Sequence, residues 1–379
     1  MPRRPTFLPA FRVLAIVSAV DCALTGAALF MVLRLEAAGL TPAAIGLIGG
    51  AYYGGFLGGS LIARVLTARL RRPSGTGALL LLALALGGLG AVPPGWSWAL
   101  LRLMAGLGAA VTLVLLESGI GNMHRGSRLG AAFASYQMAA SAGSALGPIV
   151  LLALGSGLVF PVVASAGLLV LAWAARLGLP PTCEVSAVPG LARSSSPSSG
   201  PMPMMAVLAC ATAGFANASL LVQGPVHLVS LGAGEGQAAF FVTLCLVANV
   251  ALKLPLGWAG DLWGRPTMVP LVAGLGALAT IVLVLGATDA RAVLLAGAAT
   301  AGLTGQLYGL GASLALEQTA PHRETAASGA TLFAWGLGSI LGPVISGLVA
   351  GLAGSGSTFL PTLLPSAAVC ALGILKTCR

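Results

Sequence analysis

Two stretches decide the fold: 117–148, ESGIGNMHRGSRLGAAFASYQMAASAGSALGP, and 317–343, EQTAPHRETAASGATLFAWGLGSILGP. Each opens on a glutamate that closes an apolar run, Glu117 or Glu317. Each then passes through a basic loop, with Arg125 and Arg128 in the first and Arg323 in the second. Each ends in a glycine-spaced Gly-Pro: Gly143, Gly147 and Pro148, then Gly338, Gly342 and Pro343. The glutamates at 117 and 317 stand 200 positions apart, and the prolines at 148 and 343 stand 195 apart. A hydrophobic chain of 379 residues that repeats at half its length reads as two similar helical bundles.

Composition sets the environment of those bundles. Charged residues make up 7% of the chain, against roughly 25% in soluble domains. Hydrophobic residues make up 57%, and glycine, at 54 residues, is abundant, as membrane helices allow. In water such a chain would expose large apolar patches. The fold class is therefore all-α and polytopic. The apolar runs last about 20 residues without strict alternation, whereas barrel strands alternate over roughly 10.

Twelve spans are expected, near 11–33, 43–64, 75–94, 97–117, 130–153, 158–178, 203–225, 237–257, 267–287, 291–315, 325–350 and 359–376. The first run is long enough to span and is read as a transmembrane helix, not a cleaved leader. Segment 180–203, PPTCEVSAVPGLARSSSPSSGPMP, is rich in Pro and Ser and reads as a flexible cytoplasmic linker. It separates a bundle over 1–179 from a bundle over 204–379.

The net charge of +10 is topology, not a nucleic-acid surface. With both termini cytoplasmic, Arg3, Arg4, Arg64, Arg69, Arg71, Arg72, Arg125, Arg128, Arg176, Arg193, Arg265, Arg323, Lys376 and Arg379 fall inside. Only Arg34 and Arg291 fall in outer loops. Positive residues collect on the cytoplasmic side of membrane proteins, so a bacterial inner membrane is the expected location.

Glycine spacing points to helix contacts. Gly46, Gly50, Gly54 and Gly58 recur every four residues in the second span. Gly338, Gly342, Ser346 and Ala350 do so in the eleventh. Residues four apart share a face, and small-residue faces let membrane helices approach closely. Gly50, Gly54, Gly147, Pro148, Gly342 and Pro343 are the expected packing positions. Pro225 and Pro255, like Pro148 and Pro343, are read as kinks or helix ends.

Ionisable groups inside a membrane are functional candidates. Asp21 lies ten residues beyond Phe11, about 15 Å along a helix and near the midplane of a roughly 30 Å core. Arg102 lies about six residues into the fourth span. A carboxylate whose surroundings change through a cycle changes its proton affinity. Asp21 and Arg102 are therefore the two candidates inside the membrane. Lys253, late in the eighth span, can snorkel to the inner interface.

Tyr52, Gln137, Asn217, Gln306 and Tyr308 are expected at a substrate cavity; Tyr53, Tyr136, Gln223 and Asn249 are further polar candidates. Interhelical hydrogen bonding is the alternative for all of them. Trp335 reads as a cavity wall or a lipid-facing ring. His124, His227 and His322 read as residues in or near loops, too far apart in sequence to cluster. The six cysteines show no metal spacing and no disulfide framework. No cofactor is expected, and no Gly-Lys-Ser/Thr phosphate loop suggests ATP drive.

The motifs resemble the major facilitator superfamily over the whole length. GWAGDLWGRP, with Gly257, Asp261, Gly264 and Arg265, resembles its signature loop. RLMAGLGAA, with Arg102, Gly106 and Gly108, resembles its Arg-x-x-x-Gly-x-Gly motif. GSALGP, Gly143 to Pro148, resembles the Gly-Pro motif of its antiporter branches. Tyr52-Tyr53 and Glu117-Ser118 resemble a subgroup of small bacterial, drug-efflux-like members. The loop after the second span, GGSLIARVLTARLRR, departs from the signature because it has no Asp.

The resemblance implies two six-helix bundles and a cytoplasmic gate of Glu117, Asp261, Arg265 and Glu317. In that gate Asp261, in a loop, caps a helix of the other half, Arg265 pairs with Glu317, and Glu117 pairs with Arg69, Arg71 or Arg128. The resemblance also sets spans one and four on one cavity, which makes Asp21 and Arg102 the expected proton-coupling pair, with a permanently satisfied structural pair as the alternative. It further implies alternating-access transport of a small molecule by a monomer, leading with proton-coupled efflux. Proton-coupled uptake or uniport of a sugar, amino acid or organic acid is the alternative. A membrane sensor or scaffold that transports nothing is a third reading. Protons, the lipid bilayer and a small-molecule substrate are the expected partners.

Overall fold

The structure is a computed structural model that describes residues 7–69, 75–123, 129–155, 157–178, 204–319 and 324–377. The 180–203 linker lies outside these residues, as do Arg3, Arg4, Arg71, Arg72, Arg125, Arg128, Arg193, Arg323 and Arg379. Twelve α-helices follow one another: α1 (Phe7–Ala37), α2 (Pro42–Arg69), α3 (Thr76–Ala91), α4 (Ser97–Met123), α5 (Leu129–Leu154), α6 (Val159–Gly178), α7 (Met204–Ser230), α8 (Glu235–Trp263), α9 (Arg265–Leu285), α10 (Ala290–Glu317), α11 (Glu324–Ala353) and α12 (Leu360–Thr377). Among the described residues there is no strand. Ten of the segments are long and apolar enough to cross a membrane; α3 and the described part of α6 are shorter. Helices dominate because lipid offers the backbone no partner, and an α-helix satisfies its own N–H and C=O groups.

The chain gathers into two compact units. The first holds α1 up to Ala27, α2 from Gly55, α3, α4 from Leu100, α5 and α6. Inside it α1 crosses α5 at bare glycine. A Cβ on Gly143 would lie 2.1 Å from the Ser18 carbonyl oxygen, and one on Gly147 2.5 Å from that of Cys22. Likewise α2 meets α4, where Gly55 faces Leu103 and Gly59 faces Leu107, and α4 meets α3 at Gly108 and Ala78. Helix α3 also packs on α6.

The second unit holds α1 from Ala28, α2 as far as Gly54, Pro94–Ala99 and helices α7–α12. The hairpin tip of α1 and α2 thus clusters with α7–α12, a grouping that a division at the linker alone does not foresee. Within this unit α7 packs on α11, α8 and α9 on α10, and α9 on α12. A Cβ on Gly338 would lie 2.1 Å from the Ala211 carbonyl oxygen, and one on Gly342 2.3 Å from that of Phe215.

Both units therefore use one plan. Adding six to each helix number turns the α1–α5, α2–α4, α3–α4 and α3–α6 pairs into α7–α11, α8–α10, α9–α10 and α9–α12. The glycine pairs 143/147 and 338/342 occupy the same crossing, each against main-chain carbonyls one turn apart. The internal repeat is a repeat of packing as well as of letters.

Prolines 148, 225, 255 and 343 sit inside helices and end none of them. A helical proline leaves the carbonyl four residues earlier without its usual N–H. For Pro148 that carbonyl is Ser144, and the Thr25 hydroxyl, 2.9 Å away, donates to it. The α1–α5 crossing thus repairs the break that the Gly-Pro motif makes.

Candidate functional site

Asp21 is the fifteenth of the 31 residues of α1 and is half-buried, so it stands mid-helix as expected. Its neighbours in sequence, Ser18, Cys22 and Thr25, face Gly143, Gly147 and Ser144 of α5. The midpoint carboxylate therefore adjoins the turn of α1 that touches the Gly-Pro motif. Arg102, the sixth residue of α4, is 3% exposed. It is the one Lys, Arg, Asp or Glu side chain that is buried among the described residues. A guanidinium stays charged, so its burial demands a polar setting.

Four aromatic rings form a row inside the second unit. Tyr52 stands edge-on to Tyr53 at 5.2 Å, Tyr53 to Trp335 at 6.0 Å, and Trp335 to Tyr308 at 6.1 Å between ring centroids. They come from α2, α11 and α10, and all four are half-buried. Edge-to-face pairs at these distances are favourable and leave ring faces free to stack. The row joins Tyr52 and Tyr308, two expected cavity residues, through Trp335.

The other cavity candidates divide. Gln306 is 5% exposed, and its Nε2 donates to the Asn249 carbonyl at 2.8 Å and the Gly302 carbonyl at 2.9 Å. It ties α8 to α10, which is the interhelical alternative. Asn217 is half-buried on α7, and Gln137 is exposed on α5 beside buried Tyr136. Lys253 is exposed on α8.

The glycine stripe of α2 splits. A Cβ on Gly46 would lie 2.1 Å from the Pro343 carbonyl oxygen, and one on Gly50 3.0 Å from that of Ile340. A Cβ on Gly54 or Gly58 would meet nothing within 4 Å among the described residues. Of the two expected packing positions on α2, Gly50 lies against α11 and Gly54 does not. Gly347 of α11 returns the contact, 2.3 Å from the Pro42 carbonyl oxygen. At this crossing Gln223 of α7, 0% exposed, donates from Nε2 to Pro42 and to Pro343, each at 3.0 Å. One amide therefore clasps α2 to α11. The sequence named Gln223 only among many polar residues.

His227 lies in the last turn of α7, near the loop as expected, yet is 2% exposed, because the helix continues through Pro225 to Ser230. Its Nε2 is 2.7 Å from the Ala287 carbonyl, and its ring stands edge-on to Phe359 at 5.5 Å.

At the other end of the second unit, Asp261 lies on the last turn of α8, not in a loop. Gly264 alone makes the turn, at a φ of 81° that favours glycine. Arg265 Nη2 donates to Asp261 Oδ1 at 2.9 Å, and Nη1 donates to Glu317 Oε1. The expected Arg265–Glu317 pair is thus a three-member cluster, and Asp261 is engaged by Arg265 instead of by a helix cap. Glu117 falls where α4 side chains lie outside the description.

All three charges oppose their helix dipoles: two acids at C-terminal ends and one base at an N-terminal end. Arg265 is what offsets both acids. Arg265→Ala is expected to destabilise the purified protein by about 1 kcal/mol, and Asp261→Asn by less, because the pairs are partly exposed. Thermal unfolding in detergent checks the order; equal losses would mean that the cluster does not act through Arg265.

Comparison with known proteins follows from this geometry. The profile of the Major Facilitator Superfamily matches residues 204–377. The uncharacterised MFS-type transporter YcaD of Salmonella enteritidis is 28% identical over 330 residues, 84% of this chain and 82% of the relative. The YcaD of Salmonella typhimurium shares the same identity and coverage. Among solved structures, the nucleoside transporter NupG aligns with a TM-score of 0.77 at 13% identity, over 97% of this chain and 98% of its own. A bacterial homologue of the human lysosomal transporter Spinster, inward-facing and occupied, aligns at 0.75 and 14%, over 97% and 96%.

Residues 204–377 thus resemble the major facilitator superfamily, and the whole chain is similar to MFS-type transporters in sequence and in fold. That similarity, with ten helices long and apolar enough to cross a membrane, supports a multi-pass membrane transport protein. The superfamily profile begins at Met204, in the half that keeps the Asp261–Arg265 signature and not in the half whose loop lacks the acid.

Proposed function

We propose that this transporter exports a small molecule from a bacterial cytoplasm in exchange for protons, with both termini inside. One observation carries the reading: Asp21 stands at the middle of α1, beside the turn that crosses the α5 Gly-Pro motif. A carboxylate at that depth is costly unless it works. Its proton affinity follows its surroundings, and a shift of α1 on α5 changes those surroundings. The half-buried row Tyr52, Tyr53, Trp335 and Tyr308 supports a substrate with a flat ring, since ring faces stack without needing a charge partner. The arginine asymmetry supports the orientation, which puts the Gln223 clasp on the outer side.

The test begins with thermal stability of purified wild type and Asp21→Asn against ring-bearing compounds at two pH values. Stabilising compounds then enter proteoliposomes with an imposed pH gradient. Asp21→Asn is expected to bind ligand at both pH values and to lose gradient-driven transport to background. Gradient-driven transport surviving in Asp21→Asn would sink this coupling site. Accumulation in the direction of the proton flow would replace export by uptake.

A further inference from the structure

The outer end of α7 holds two buried acceptors and, among the described residues, no hydrogen to serve them. Both N–H groups of Gln223 are accounted for by the carbonyls of Pro42 and Pro343. Reversing the amide would set oxygen against two carbonyl oxygens, so Oε1 must point away from them. Among the described residues it has no hydrogen-bond partner. On His227, the nitrogen facing the Ala287 carbonyl must carry a hydrogen, which fixes the neutral ring as the Nε2–H tautomer. Its Nδ1 is then an acceptor, also buried and without a partner among the described residues. Positions 223 and 227 are one helical turn apart on one face.

We infer that His227 and Gln223 form a proton-operated latch: the α2–α7–α11 clasp closes on a neutral His227 ring and is released when Nδ1 is protonated. Protonation turns Nδ1 into a donor one turn from Gln223 Oε1. It also places a full charge beside Phe359, one turn from the Gln223 amide that Gly46 and Gly347 cover. A single hydrogen bond to a neutral amide does not replace the hydration of an ion.

The charged groups on adjoining elements at this end are few. They are Arg34 and Glu36 on α1, Glu235 on α8, and Asp289 and Arg291 at the start of α10. The near ends of α2, α9, α11 and α12 carry none. Among the described residues no carboxylate pairs with the His227 ring. The C-terminal end of α7 offers a partial negative charge only. A protonated ring is therefore best served by water, and water reaches it when α2 lifts from α7 and α11.

The inference stands apart from the proposed role of Asp21, and the test keeps the two separate. The full chain with His124→Gln and His322→Gln, in lipid nanodiscs, leaves His227 as its one imidazole. Nitrogen NMR of that ring between pH 8 and pH 5 reads tautomer and charge. Hydrogen exchange of 42–50, 219–230 and 340–350, corrected for intrinsic rates, reads the clasp. The expected result is an Nε2–H ring at pH 8, an imidazolium at pH 5, and exchange about tenfold faster at the lower pH. His227→Gln keeps a donor for Ala287 and should hold exchange constant across pH. Asp21→Asn in the same background should leave the response intact.

A ring that stays neutral to pH 5, as a bound water on Nδ1 would keep it, overturns the latch. So does a ring that titrates without a change in exchange. A pH response that persists in His227→Gln overturns it as well. If His227→Gln does not fold, the ring titration and exchange of the His227-containing chain still decide.

Discussion

Gly338→Val is expected to cut the yield and melting temperature of the protein sharply, while Gly54→Ala leaves both unchanged. Both glycines belong to four-residue stripes, so sequence treats them alike. At Gly338 a Cβ would lie 2.1 Å from the Ala211 carbonyl oxygen, 2.9 Å from its carbon and 3.0 Å from the Phe215 nitrogen. These are main-chain atoms of α7, and no rotamer change moves them. The helices must part instead. Parting them also opens Gly342 from Phe215 and weakens the 3.1 Å Ser346–Ser219 hydrogen bond one turn further on.

Overpacking a tight core commonly costs about 1–3 kcal/mol, and valine against backbone belongs at or above the top of that range. Lipid provides no hydrophobic force to press the helices back together. Against total stabilities of about 5–15 kcal/mol, such a loss takes a large share of the margin and raises the unfolded fraction by roughly 100-fold. Gly54 has open space instead. Size-exclusion profiles of fluorescent fusions compare the two directly. A monodisperse Gly338→Val protein with wild-type yield would show that the α7–α11 crossing is looser than its carbonyl distances imply.

The difference between Gly46 and Gly54 shows what spacing can and cannot say. A four-residue period drifts about 40° per step on a helix of 3.6 residues per turn. From Gly46 to Gly54 the drift is about 80°, enough to carry the stripe off α11. Gly55 and Gly59, which break the pattern, then meet α4. The twelve helices and the repeat were legible because apolar runs and Gly-Pro motifs are local signals. Asp21 was legible because depth along a helix is simple counting.

The burial of His227 was not, because Pro225 reads as a kink or a helix end. A membrane helix tolerates an internal proline when neighbours serve the freed carbonyl, and α7 runs on for five more residues to Ser230. Asp261 was misplaced for a similar reason: Asp-x-x-Gly-Arg reads as a turn, yet Gly264 alone turns the chain. The aromatic row and the Gln223 clasp each join three helices distant in sequence, and no spacing rule reports such a meeting.

Gly46→Leu is expected to abolish transport while the protein still folds and inserts. The side chain would enter where a Cβ already lies 2.1 Å from the Pro343 oxygen and 2.7 Å from Gln223 Nε2. It would displace α2 from α11 and break both hydrogen bonds of the clasp. The crossings that hold each unit, Gly143 and Gly147 on α1 and Gly338 and Gly342 on α7, are elsewhere and stay intact. The substitution therefore acts on one conformation and not on the fold.

Taken as the outer gate of the proposed transporter, the clasp would close and open once per turnover. Losing about 3 kcal/mol from the closed state shifts the balance toward the open state by roughly 100-fold. Turnover then waits on a state that is almost never populated. Proteoliposome transport of a ligand found by thermal stabilisation measures the loss, with Gly58→Leu, which meets open space, as the control. Loss in Gly46→Leu with normal Gly58→Leu activity would tie transport to clasp closure. Equal activity in both would mean that the cycle runs without closing α2 onto α11 at this point, and the outer gate would have to be sought on other helices.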